Sequence, residues 1–123
     1  MGLRTIQEPA SANGLSHPLL VHYSTSERKA ILVHRYFLGI ELGREPAVED
    51  TVRSWESRHA RAWRQMKVQR DVAAQLLEIE RHKYFISQKA GFDVGWETAA
   101  GDWIRSHAGH WREWWENQSA ACP

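Results

Sequence analysis

The chain has 123 residues, 42% of them hydrophobic and 25% charged, which is material for one globular domain. Sixteen Lys and Arg against fifteen Asp and Glu leave a net charge of +1, which argues against a dedicated nucleic-acid binder with its large basic excess. No apolar run approaches the ~18 residues of a membrane span, and the one cysteine, Cys122, excludes an internal disulfide framework or a cysteine-based zinc finger.

In chain order, the start (Met1-Gly2-Leu3-Arg4-Thr5) lacks the apolar stretch of a secretory leader, and Ile6 stands where a myristoylated Gly2 needs Ser or Thr. Residues 1–23 mix Gly, Pro, Ser and Asn without periodicity and read as a disordered arm, with Leu19-Leu20-Val21-His22-Tyr23 docking on the body. A cytoplasmic location is the default. The body is expected over residues 24–117 and a frayed tail over 118–123.

Ser24-Thr25-Ser26-Glu27 is a capping box that starts a helix, and Gly43 suits its left-handed end. Pro46 is expected at the first position of the next helix, where its missing N–H costs nothing. That helix carries a stripe at steps of four and three: Val48, Val52, Trp55, His59, Ala62 and Met66. From Ala47 to Ala90 there is neither Gly nor Pro, so one very long helix or a turn near Val68–Asp71 must follow, with Asp71 able to start a new helix. Gly91 then ends a helix and Asp93 is the expected cap of the last one, whose stripe is Trp96, Ala100, Trp103, His107, His110 and Trp114. The first helices offer Ile31, Phe37 and Leu38, and Leu77, Phe85 and Ile86.

These elements repeat. A shift of 48 residues lays His34, Tyr36, Phe37, Gly43, Glu49, Trp55, His59, Ala60, Trp63 and Arg64 on identical residues from His82 to Arg112. Ten identities in 31 aligned positions exceed the roughly two expected by composition, and Arg35/Lys83, Leu38/Ile86 and Glu45/Asp93 are conservative. The expected fold is all-α: two tandem helical hairpins from an internal duplication, units 24–70 and 71–117, most compactly as a four-helix bundle behind the arm.

The run His82-Lys83-Tyr84-Phe85-Ile86-Ser87-Gln88-Lys89-Ala90-Gly91-Phe92-Asp93-Val94-Gly95-Trp96-Glu97, continuing to Trp103-Ile104, His107-Ala108 and Trp111-Arg112, resembles a short helical module of uncharacterised bacterial proteins. The first copy departs from it, with Arg44-Glu45-Pro46-Ala47-Val48 in place of Phe92-Asp93-Val94-Gly95-Trp96. The resemblance implies a bacterial source and an all-helical fold, and brings no activity with it.

Seven Trp and seven His are the unusual inventory, and four of each fall at matching positions of the two copies. Repeated aromatics are what a duplicated core requires, so packing is the leading reading for them. A metal or haem site using His34, His59, His82 and His107 is the alternative. Glu49 lies ten residues from His59, ~15 Å along a helix, and cannot share an ion with it. Around the turn His34 lies level with Trp55, so a His34–His59 contact is feasible but a full ligand set within one hairpin is not evident; pairing across the copies could assemble four imidazoles.

The last helix sets Trp111, Arg112, Trp114 and Trp115 on more than one side, more than a single seam can bury, and is the expected protein-contact surface. Arg58, Arg61, Arg64 and Lys67, interleaved with Trp55 and Trp63, form the candidate single-strand nucleic-acid surface, diluted by Glu49, Asp50, Glu56 and Asp71. With Cys122 in the tail and no Gly-x-Ser-x-Gly or phosphate loop, an enzyme is not the expectation. The function expected is a non-enzymatic interaction or assembly protein, a homo-oligomer or one docking to a protein partner, without cofactor, membrane or nucleic acid.

Overall fold

The structure, a computed structural model, describes residues 12–121, with the side chains of residues 14–118. These residues form α1 (Ala12–Leu15), α2 (Thr25–Leu42), α3 (Val48–Arg58), α4 (Ala60–Ala90), α5 (Trp96–Ser106) and α6 (Ala108–Ala121), and no strand. The chain is all-α, and its hairpins, α2 with α3 and the end of α4 with α5, recur at the 48-residue offset. Residues 1–11 of the expected arm, and Cys122 with Pro123, lie outside the described residues.

Helix ends follow local chemistry. Ser24 is extended and its Oγ accepts the Glu27 N–H at 3.2 Å, satisfying an otherwise unpaired donor of the first turn of α2. Gly43 ends α2 at φ 73°, and Gly91 follows α4 at φ 82°, in the left-handed region that side chains resist. Two expected starts differ. Pro46 is not inside α3 but precedes its cap, Ala47, and is fully buried. Asp93 does not cap α5; Gly95 does, and Asp93 Oδ1 instead accepts the Gly95 N–H at 2.9 Å, closing an Asx turn.

Between Ala47 and Ala90 the chain does not turn near Val68–Asp71. Helix α4 runs through that stretch, where no residue interrupts it and the Lys67–Asp71 pair, four apart and 2.7 Å long, joins successive turns. The interruption falls instead at His59, the last-turn cap of α3 at φ −130°, ψ −30°. His107 repeats it after α5 at φ −130°, ψ −26°. Each break is followed at once by a buried alanine, Ala60 or Ala108.

The breaks shift which residues face inward. From Trp55 to Ala60 and from Trp103 to Ala108 the buried positions step by five, so the stripe expected to continue through Ala62 and Met66, or His110 and Trp114, turns to solvent. Ala60 and Lys67 are buried and Trp63 half-buried in the first copy; Ala108 is buried and Trp111 and Trp115 half-buried in the second. Phe37 and Phe85, expected in the core, are exposed in both copies.

The described residues divide into two compact units, one of residues 12–61 with 115–121 and the other of residues 62–114. In the first unit Leu20, Ile31, Leu32, Leu38, Val48, Thr51, Trp55 and Ala60 are buried. Leu20 belongs to the segment read as an arm; from Ala12 onward that segment folds onto the unit, with the Tyr23 hydroxyl donating to Glu56 at 2.6 Å. Glu116 accepts both the N–H (2.8 Å) and the hydroxyl (2.6 Å) of Ser26 in the first turn of α2, where a carboxylate also meets the positive end of the helix dipole. In the second unit the core is Ile79, Ala99, Ala100, Trp103 and Ala108, with Ile86, Val94 and Trp111 packed against it.

Candidate metal centre

The hairpin turn decides which residues meet. Antiparallel return of α3 along α2 brings His34 level with Ser54 and Trp55, twenty residues on, and the break at His59 swings a second imidazole over the first. His34 Nε2 lies 2.9 Å from Ser54 Oγ, and the His34 and His59 rings meet edge to face at 4.5 Å. Trp55 backs both, its ring 5.9 Å from each. Its indole N–H donates to the buried Glu27 carboxylate at 2.9 Å. Burial, followed by the neighbouring His59 and Arg58, pushes the His34 pKa down, against a smaller opposing effect of Glu41.

The second hairpin repeats the arrangement with one decisive change. His82 and His107 meet edge to face at 4.9 Å, with Trp103 6.0 Å from His82 and 5.5 Å from His107. Where the first copy has Ser54, the second has Asp102, whose Oδ2 lies 2.6 Å from His82 Nε2. That hydrogen bond, ahead of the charges of His82, Arg105 and His107, holds the Asp102 carboxyl below the ordinary carboxylate range although burial pushes the other way. His82, Asp102 and His107 can each offer one ligand atom within 4.8 Å of the others. Trp103 keeps its indole N–H buried without a partner among the described residues; the position matching Glu27 holds Gln75.

The four candidate histidines therefore meet as two pairs, each within its own hairpin. Asp102 adds a carboxylate to the second pair, a residue that the repeat pattern alone does not single out although it sets His34 level with Trp55. The signal was available: the residue before each level tryptophan is Ser54 in one copy and a carboxylate, Asp102, in the other. Glu49 and Glu97 stand in the first turns of α3 and α5, apart from these pairs.

Of the contact candidates, Trp111 packs against Trp103 at 6.2 Å and Trp115 is half-buried, while Arg112 is exposed and Trp114 is 54% exposed. Of the basic candidates, Arg58 lies 3.9 Å from Glu41 and donates to Ser54 at 3.4 Å. Lys67 is buried on Asp71, leaving Arg61 and Arg64 at the surface. No helix among the described residues is long and apolar enough to cross a membrane. No family model, curated protein or solved structure matches the chain, so the reading of the site rests on its own geometry.

Proposed function

We propose that this chain is a metal-binding helical protein that holds one divalent transition-metal ion in its second hairpin through His82, Asp102 and His107. The observation that carries the reading is the convergence of two imidazole nitrogens and a carboxylate oxygen within 4.8 Å of one another. Metal–ligand bonds of ~2.0–2.1 Å set tetrahedral ligands ~3.3 Å apart. The His82–Asp102 pair must open from 2.6 Å and the widest separation close from no more than 4.8 Å, movements within reach of side-chain rotation.

Two imidazoles and a carboxylate suit zinc or ferrous iron, and three protein ligands leave a coordination position for water. His107 is exposed, which gives the ion a path in. The ligand is a bare ion rather than haem, because imidazoles in edge contact at 4.9 Å leave no room for a porphyrin plane between them. A cytoplasmic location is part of the proposal.

Titration of EDTA-stripped, untagged protein with Co(II) and with Zn(II) tests this. The expected result is one saturable equivalent, with cobalt absorption bands of low-symmetry coordination, lost in His82→Ala and His107→Ala and kept in His110→Ala. Absence of saturable binding, or equal loss in His110→Ala, overturns it.

A second reading, assembly or docking to a protein partner, is supported by exposed apolar side chains at helical spacing on α2: Val33, Tyr36, Phe37 (59% exposed) and Ile40 (64% exposed). Trp114 adds to the exposed apolar surface at the other end of the chain. Light scattering on wild type and on Phe37→Ser/Ile40→Ser decides it: a wild-type oligomer that becomes monomeric supports the reading, and a monomer in both, with no partner recovered, overturns it. A single-strand nucleic-acid surface has less support, since Arg58 and Lys67 have carboxylate neighbours.

A further inference from the structure

The two copies keep the same imidazole pair and the same tryptophan behind it, yet they place their carboxylates differently. In the first hairpin the buried carboxylate is Glu27, which accepts the Trp55 indole N–H, and a second one, Glu41, lies 3.9 Å from Arg58. In the second the matching position is the neutral Gln75, and the carboxylate has moved to the imidazole edge as Asp102. Position 54/102 thus decides what the imidazoles face: a hydroxyl in one copy, an anion in the other.

A neighbouring pair of positions reinforces the contrast. Arg58 donates to Ser54 Oγ at 3.4 Å, setting a positive charge beside the first imidazole pair that outweighs the opposing effect of Glu41 on His34. Its repeat counterpart is Ser106, which carries no charge, and the guanidinium near the second pair, Arg105, acts on the Asp102 carboxylate rather than on a neutral hydroxyl. A neutral hydroxyl is a poor ligand for a divalent transition ion, and an adjacent guanidinium repels one.

Resting on the metal reading of the second hairpin, we infer that the first hairpin is a latent copy of the same metal site, kept from binding by two residues, Ser54 and Arg58. The duplication has one binding hairpin and one closed to cations, although both retain the imidazole pair. Transplanting the second hairpin's residues, as Ser54→Asp with Arg58→Ser, restores the missing ligand and removes the charge. It also leaves no guanidinium one helical turn away to occupy the new carboxylate.

The test is Zn(II) and Co(II) stoichiometry on the untagged, EDTA-stripped full chain, with circular dichroism confirming that each variant is folded. Wild type is expected to bind one equivalent, S54D/R58S two, and Asp102→Asn none; D102N preserves the shape of the side chain while removing its charge. Adding His34→Asn to S54D/R58S returns the count to one, showing that the new ion sits in the first hairpin. S54D alone serves if the double variant does not fold, and is expected to bind a weaker second equivalent.

The outcomes separate the two claims. A wild type that binds nothing defeats the metal reading itself. A wild type that binds one equivalent through Asp102, with folded S54D/R58S and S54D both still at one, overturns the latent-site inference alone. A wild type that binds two, the second lost in His34→Asn/His59→Asn, overturns it as well, because Ser54 and Arg58 then exclude nothing.

Discussion

Replacing Glu27 by alanine isolates the buried contact on which the first hairpin turns. The Glu27 side chain is 7% exposed and its Oε2 accepts the Trp55 indole N–H at 2.9 Å. A hydrogen bond to a charged partner is worth about 1.5–3 kcal/mol, and a buried indole N–H left without an acceptor costs about 1–3 kcal/mol, with the two overlapping in one substitution. E27A is therefore expected to destabilise the protein by about 2–4 kcal/mol, which at ~3–6 °C per kcal/mol for a chain of this size lowers Tm by ~6–24 °C. Glu27→Gln keeps an acceptor of similar reach and is expected to cost about 0.5–1.5 kcal/mol.

Urea denaturation followed by far-ultraviolet circular dichroism, with tryptophan fluorescence as an independent probe of two-state behaviour, measures both variants. The local consequence is also readable. Trp55 stacks 5.9 Å from His34 and from His59, so its loosening should shift the ring proton resonances of both histidines while leaving those of His82 and His107 in place. An E27A variant within ~0.5 kcal/mol of wild type, or equal destabilisation by alanine and glutamine, would refute the assignment of stability to this hydrogen bond.

Further consequences are measurable in the same system. His34 binds its proton less readily folded than at its ordinary 6.5, so the unfolded chain takes up the extra proton; stability should be full above pH 6.5 and fall as pH drops from there toward the lowered folded value. The groups facing His34 are His59, Arg58, Glu41, Ser54 and Trp55, and His34→Asn should flatten this slope of denaturation midpoint against pH. Asp102, held low mainly by His82, contributes in the same direction at lower pH, with stability lost as pH falls below the ordinary 3.8; Asp102→Asn should remove that part of the acid transition.

Zn(II) at a hundredfold excess over its Kd should raise unfolding free energy by ~2.7 kcal/mol in wild type and leave His107→Ala unmoved, which thermal melts with and without EDTA will show. Leu20→Ala, at a fully buried side chain in the segment before α2, should cost about 2–5 kcal/mol; a loss under ~0.5 kcal/mol would mean that this segment does not dock in solution. Gly39→Ala should destabilise although its backbone is ordinary helix, because a Cβ there lies 3.2 Å from the Arg44 carbonyl oxygen and 3.3 Å from Pro46 Cδ in the tight first turn.

Where the chemistry is local, sequence and structure agree. Ser24 needs only the next three residues to cap α2, and Gly43 and Gly91 need only their missing Cβ to end helices in the left-handed region. The duplication was legible for the same reason, since identical residues at one offset must pack alike; the paired ion bridges Arg35–Glu45 (3.8 Å) and Lys83–Asp93 (3.7 Å) are its conservative positions meeting in space. Asp93 and Pro46 belong to residue types that commonly start helices, but the turns assign them other work: one closes an Asx turn and the other is buried in the hairpin.

The interruptions at His59 and His107 carry no Gly or Pro, so periodicity continued straight through them and misplaced Ala62, Met66, His110 and Trp114 on the inner face. Such a break is decided by packing. Burying the alanine after each histidine turns the following helix by one residue, an advantage that exists only once the hairpin has closed.

By itself, then, the sequence determined the helical class, the helix ends made by short-range capping, and a unit used twice. Tertiary structure decided that the four histidines meet as two separate pairs and that Asp102 stands against His82, because residues twenty apart become neighbours through the antiparallel return of a hairpin. No periodicity records that distance. The same closure separates Ser54 from Asp102 in consequence, although along the chain each is only the residue before a repeated tryptophan.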